Sequence, residues 1–175
     1  CANACTGDEG LADARDMAAE TARLVACPEE QVLVASTGVI GVGLPMAKIR
    51  TALPRAFAAL GRDQGPAAAR AIMTTDPFPK EAAVRISIGS QEVSIGGMAK
   101  GSGMIEPMMA TMLGFLTTDA GVPKALLDRA LREVVHDTFN AITVDGDSST
   151  NDCVMMLANG ASGVTVDERS YDAFA

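Results

Sequence analysis

Apolar residues recur at three- and four-residue steps over residues 11–26 (Ala14, Met17, Ala18, Thr21, Leu24, Val25), which predicts a helix. Asp8 or Gly10 is its candidate cap, and Pro28 lies just past its end. Residues 31–35 (QVLVA) read as a buried strand, followed by a glycine-rich passage, 36–43. A second helix is predicted over 45–60 from the stripe Met46, Ile49, Leu53, Phe57 and Leu60, with Pro54 expected to break or kink it. A turn (61–66), a short helix (67–73) and an extended Pro-rich loop (TTDPFP) come next. Residues 82–88 and 91–96 alternate around Gly89-Ser90, a hairpin signal with Ile86, Ile88, Val93 and Ile95 facing inward.

After a loop at 100–107, residues 110–121 read as a buried strand ending in a turn. Residues 123–138 predict a helix, with Pro123 in its first turn and Leu127, Ala130, Leu131, Val134 and Val135 on one face. Two more strands are expected at 141–144 and 153–157, separated by the polar loop 145–152. The pattern contains no internal repeat and no linker. It predicts an α/β fold, a mixed sheet with helices packed on it.

Composition narrows the functions open to such a fold. The 175 residues are 48% hydrophobic and 21% charged, with 14 Lys plus Arg against 22 Asp plus Glu, a net charge of -8. An acidic chain without a basic run is a poor partner for nucleic acid or an anionic membrane. Aromatics are 3%, with no Trp and one Tyr, too few for base-stacking platforms. No apolar run is long enough for a membrane span, and no targeting segment is expected. Four cysteines (Cys1, Cys5, Cys27, Cys153) form no CxxC pair, and the single histidine, His136, sits within a predicted helix. A zinc site is therefore not expected, and the thiols are expected free and buried. His136 reads as a surface or boundary residue, so base chemistry falls to a carboxylate, a lysine or an amine.

Three segments place small and hydroxyl residues beside strands. Ser36-Thr37-Gly38-Val39-Ile40-Gly41 reads either as a structural turn or as a set of backbone donors for an oxyanion. Lys100-Gly101-Ser102-Gly103 reads as a solvated loop or as a charge set into a pocket. Within Met108–Leu113 the hydroxyl of Thr111 reads as a core threonine bonded to backbone or as a reactive group.

Together these segments resemble the ornithine acetyltransferase family, the bifunctional glutamate N-acetyltransferase / amino-acid acetyltransferase of arginine biosynthesis. The matching stretches are NACTG (3–7), VLVASTGVIG with LPM (32–46), IMTTD (72–76), GGMAKGSGMI (96–105), MATML (109–113), TTDA (117–120), ITVDGDSSTND (142–152) and LANG (157–160), in family order. The resemblance implies the self-processing aminopeptidase/ornithine acetyltransferase-like fold. It implies a precursor that cuts itself between Ala110 and Thr111, giving an α chain ending at 110 and a β chain starting at 111. In such a cut the hydroxyl attacks the preceding carbonyl, an ester replaces the amide, and water splits the ester. The freed α-amine, with an ordinary pKa of about 7.7–8.0, then serves as base for its own hydroxyl.

The remaining roles follow from the same resemblance. Thr111 is the nucleophile, Thr37 and Gly38 form the oxyanion hole, and Thr74 and Lys100 bind substrate with Thr111. Acetyl passes from N-acetylornithine to glutamate in a ping-pong reaction, with no metal or organic cofactor; some members also take acetyl-CoA as donor. The intact enzyme is implied to be a cytoplasmic α2β2 heterotetramer. Pro77 stands where the family usually has Thr, which is expected to reshape the Thr74 loop, and Met108 stands where Asn or Ser is common. The chain starts at Cys1 rather than Met and reads as a single incomplete domain, 1–175, of a longer precursor. The alternatives are a self-processing aminopeptidase/amidase of the same fold, a Cys1 nucleophile, and an inactive fragment without a complete active site.

Overall fold

The computed structural model describes residues 2–103, 112–147 and 149–175. The chain divides into two compact units, Cys1–Ala68 and Ala69–Ala175, each described by itself.

The first unit is built on two helices. α1 (Gly7–Val25) starts four residues before the apolar pattern does. Asp8 and Glu9 favour its N-terminal turn, and the Asn3 amide donates to the Gly10 carbonyl at 2.9 Å while the Thr6 hydroxyl donates to Asn3 Oδ1 at 3.0 Å. Gly10 is required in that corner, since a Cβ there would stand 1.9 Å from Thr6 Oγ1. The expected strand at 31–35 does not form. A 3-10 turn (Glu29–Gln31) precedes an extended segment that joins no ladder among the described residues, and Leu33 is left exposed. β-propensity without a partner edge gives extended chain, not a strand. α2 (Met46–Ala58) continues through Pro54. The ring sits late in the helix, where it forfeits the bond to the Arg50 carbonyl but only a short stretch follows. Arg50 of α2 pairs with Asp16 of α1 at 2.7 Å.

α3 (Gly65–Ala71) leads toward the sheet of the second unit. There β1 (Lys80–Ile88) and β2 (Gln91–Lys100) form the expected hairpin, with Ile88 opposite Gln91 across Gly89 (φ +62) and Ser90. β3 (Leu113–Thr118) pairs antiparallel with β2, and β4 (Cys153–Ala158) pairs parallel with β3, giving the order β1-β2-β3-β4. A parallel pair needs a crossover, and α4 (Lys124–Asp137) supplies it. The fold is thus α/β, a mixed four-stranded sheet with helices.

Leu126 and Ala130 of α4 bury against Ile88, Val93, Val164, Val166, Tyr171 and Phe174, with Ile86 and Ile95 packed alongside. Val134, expected on the buried face of α4, is exposed. The short terminal helix α5 (Tyr171–Phe174) is tied to α4 by the Tyr171 hydroxyl, which donates to Glu133 at 2.5 Å, and by Arg129 stacked 3.9 Å over the Tyr171 ring. The strand expected at 141–144 is absent. A 3-10 turn (Phe139–Ala141) takes its place and sets the Phe139 ring 3.3 Å from where a Cβ on Gly114 would be. An aromatic side chain, rather than a fifth ladder, covers that part of β3.

Candidate active site

Register decides which residues meet at one end of the sheet. Lys100 lies opposite Leu113, and Leu113 opposite Cys153, so the end of β2 and the starts of β3 and β4 form one row. Strand alternation puts Lys100 on the face opposite Val93 and Ile95, away from the core that α4 covers. Lys100 is nonetheless only 2% exposed. It is not the solvated loop lysine of the blander reading. Burial pushes its ammonium below the usual lysine range, and the charges of Asp76 and Asp152 oppose that push.

Asp76 organises the near side. Its Oδ1 accepts the Lys80 ammonium at 2.6 Å and the Gly101 N–H at 2.7 Å, and its Oδ2 accepts the Thr74 N–H at 3.2 Å. Burial by itself would raise this carboxyl. The bonds from Lys80, Gly101 and Thr74, with the Lys80 charge, outweigh burial and hold it at about 2. One carboxylate thereby joins the IMTTD segment to the glycine loop after Lys100. A hydroxyl pair, Thr75 Oγ1 and Ser102 Oγ at 2.7 Å, makes a second link. Pro77 is exposed and leaves the Asp76 bonds to Thr74 and Gly101 in place.

Asp152 organises the far side. Its Oδ1 accepts the Met112 N–H at 2.7 Å, while the Met112 carbonyl accepts the Cys153 N–H at 3.0 Å. Asp152 Oδ2 is buried without a hydrogen-bond partner among the described residues. Burial raises this carboxyl above its ordinary range, against the lowering effects of the Met112 bond and the Lys100 charge. The neighbouring Cys153 thiol is raised as well, by burial and by Asp152.

Thr37 and Gly38 belong to the first unit. There Ala2 N–H donates to the Val39 carbonyl at 3.0 Å and Gly41 N–H to the Ala4 carbonyl at 2.8 Å, so residues 2–4 run beside residues 39–41. Gly38 has φ +140, a conformation that L side chains rarely adopt. Ala110, Thr111 and Met108 lie outside the described residues, as does Cys1. His136 is on the surface, its side chain 82% exposed beside Asp137. Cys5, Cys27 and Cys153 are free; Cys5 is exposed and the other two are half-buried, so the expectation of buried thiols fails at Cys5. Among the described residues no group of three or more His, Cys, Asp or Glu could hold a metal ion. No helix of the described residues is long and apolar enough to cross a membrane.

Sequence reasoning passed over Asp76 and Asp152. Each ends a run of small polar residues, TTD and STND, and that shared position was the available signal.

The comparisons with known proteins agree with one another. The ArgJ family model matches residues 1–175. This chain belongs to the ArgJ family. It is 55% identical over 177 residues to the arginine biosynthesis bifunctional protein ArgJ of Symbiobacterium thermophilum, covering 99% of this chain and 44% of that protein. It is 55% identical over 161 residues to the protein of the same name from a Synechococcus species, covering 92% and 39%. A crystal structure of the arginine biosynthesis bifunctional protein from Bacillus halodurans superposes with a TM-score of 0.55 at 40% identity, over 63% of this chain and 56% of that one. The chain thus spans less than half the length of these two curated relatives.

Proposed function

We propose that this chain carries the nucleophile and oxyanion hole of an N-acetyltransferase of arginine biosynthesis. Its precursor cuts itself between Ala110 and Thr111, and the freed Thr111 then moves acetyl from N-acetylornithine to glutamate. The observation that carries the reading is the buried Lys100, acted on by the charges of Asp76 and Asp152, at the strand ends that flank residue 111 in sequence. A buried cation with a perturbed pKa marks a candidate functional site, and its role here is to hold the substrate carboxylate; Thr74 and the Gly101 N–H after Lys100 are joined through Asp76.

In the first half-reaction Thr111 Oγ attacks the acetyl carbonyl and its proton passes to the Thr111 α-amine. The oxyanion is held at Thr37 and Gly38. The carbon–nitrogen bond breaks, ornithine leaves with the proton, and acetyl-Thr111 remains. The glutamate amine then attacks that ester and departs as N-acetylglutamate, returning the proton to Thr111 Oγ. No cofactor is required, acetyl-CoA is an alternative donor, and the assembly is a cytoplasmic α2β2 heterotetramer.

The test is the intact mass of the denatured protein, expressed from its complete reading frame, beside a Thr111→Ala control. Two fragments in the wild type and one species in the control are expected. After incubation with N-acetylornithine and acid quenching, the Thr111 peptide should gain one acetyl group. An uncut wild type ends the reading. Cleavage without acetyl capture, but with hydrolysis of peptide substrates, replaces it with the aminopeptidase/amidase reading.

A further inference from the structure

Thr74 and Lys100 lie 26 residues apart (100 − 74), the first in the loop before β1 and the second at the end of β2. Strand pairing fixes only one of them. The hairpin ladder runs from Ile88 opposite Gln91 to Lys80 opposite Ala99, and Lys100 then pairs with Leu113. Thr74 belongs to no ladder among the described residues. Asp76 joins it to the strand end. The Asp76 side chain is 1% exposed, and one of its oxygens accepts the N–H of Thr74 itself while the other accepts the N–H of the residue after Lys100. That residue, Gly101, has φ +147 and the backbone freedom of glycine, so the bond restrains the peptide that follows Lys100. The Thr75–Ser102 hydroxyl pair is exposed and competes with water, whereas the carboxylate does not. Lys80 plays a different part. It pairs with Asp76 from the first position of β1 and makes neither main-chain bond.

We propose that Asp76 is a positioning residue for substrate binding, holding Thr74 and Lys100 at their working spacing through the N–H groups of Thr74 and Gly101. This rests on the reading of Thr74 and Lys100 given above. Asp76 acts through two main chains, not by contact with substrate, and exchanges no proton. The sheet register does not depend on it, since the β1–β2 ladder forms from its own main-chain bonds. What depends on it is the placement of a loop residue against a strand end, and a binding site loosened by a fraction of an ångström binds less well.

The experiment measures kcat and KM for N-acetylornithine, with stability followed by urea denaturation. It uses the protein expressed from its complete reading frame, as wild type, Asp76→Asn, Asp76→Ala and Lys80→Met. Asn keeps an acceptor for one of the two main-chain donors and turns its amide NH2 toward the other; Ala keeps neither. Thr74 and Lys100 are read as holding substrate throughout the reaction, so misplacing them raises KM with little change in kcat. A rise in KM of about tenfold is expected for Asp76→Ala, and a smaller rise for Asp76→Asn. Partial unfolding alone acts otherwise: it lowers the amount of active enzyme, hence the apparent kcat, and leaves KM unchanged. Lys80→Met is expected to lose stability and keep the wild-type KM. An unchanged KM in folded Asp76 variants overturns the inference and leaves the acetyltransferase reading intact. A KM that rises as far in Lys80→Met as in Asp76→Ala does the same. Failure of both Asp76 variants to fold makes Asp76 structural and also overturns the inference. A wild type that does not turn over N-acetylornithine takes both down.

Discussion

Asp76 and Asp152 both act by charge on the same lysine, Lys100, and their environments differ in kind. Asp76 collects three donors, from Lys80, Gly101 and Thr74, and is held at about 2. Among the described residues Asp152 collects one donor and keeps a buried oxygen unpaired, and it is pushed upward by burial. A satisfied carboxylate joins segments of chain and stays ionised through the working pH range. An unsatisfied one stores electrostatic cost, and such cost is what functional sites carry. The chemistry of Lys100 is therefore bounded by a clamp at one carboxylate and by an acceptor with capacity left at the other.

Removing the clamp should have the largest effect. Asp76→Ala leaves the Thr74 and Gly101 N–H groups without their acceptor and Lys80 without its partner. A loss of about 3 kcal/mol is expected in urea denaturation, the range for a broken buried ionic network. Asp152→Ala should cost clearly less. Equal losses would abolish the distinction between the two acids.

The next effect is in acid. Asp76 is depressed from 3.8 to about 2, so it binds a proton more weakly folded than unfolded. Its contribution is complete above the unfolded value and is lost as pH falls from about 4 through 2. At 1.36 kcal/mol per unit this comes to about 2 kcal/mol. Asp152 has the opposite sign: its raised folded value means that stability declines as pH rises from the ordinary carboxylate range into its own. Melting curves from pH 5 to pH 2 should show the acid loss in wild type and largely lack it in Asp76→Asn.

The sheet was far more legible in the sequence than this pair. Period-2 alternation marked Ile86, Ile88, Val93 and Ile95, and these face or flank the core as expected. Helical periodicity marked α1, α2 and α4, each close to its observed span. The failures share a cause. Residues 31–35 and 141–144 carry strand-like composition, yet ladder pairing depends on a partner edge, which local pattern does not encode. Likewise Thr74 and Lys100 were nameable from motifs, but the acids acting on Lys100 come from positions 24 residues before and 52 after it (100 − 76; 152 − 100). No periodicity marks a contact made across strand ends.

A smaller effect separates stability from function at Asp152. Neutralising a buried, incompletely paired charge is commonly neutral or stabilising. Asp152→Asn should therefore melt at or above wild type at pH 7, by up to about 1 kcal/mol. A variant that gains stability would show that the charge at Asp152 is not retained for the fold, and a loss would make it structural.

The smallest expected effect discriminates most finely, because it reads both acids at once. Lys100→Met replaces the buried ammonium with an apolar chain of similar reach. At Asp76 the dominant cation is Lys80, together with two backbone donors, and all three remain. Its carboxyl should still titrate near 2. At Asp152 the lowering influences are the Met112 bond and the Lys100 charge, and one of these is gone. Its titration should move further up. Carbon-13 carboxyl shifts of the two aspartates, followed through one acid titration, give both answers in a single sample. If Asp76 moves with Asp152, Lys100 couples the two acids and neither can be tuned alone. If only Asp152 moves, the clamp is insulated from the lysine it helps to bury. Charge at Lys100 can then vary with bound substrate without loosening the loop that carries Thr74.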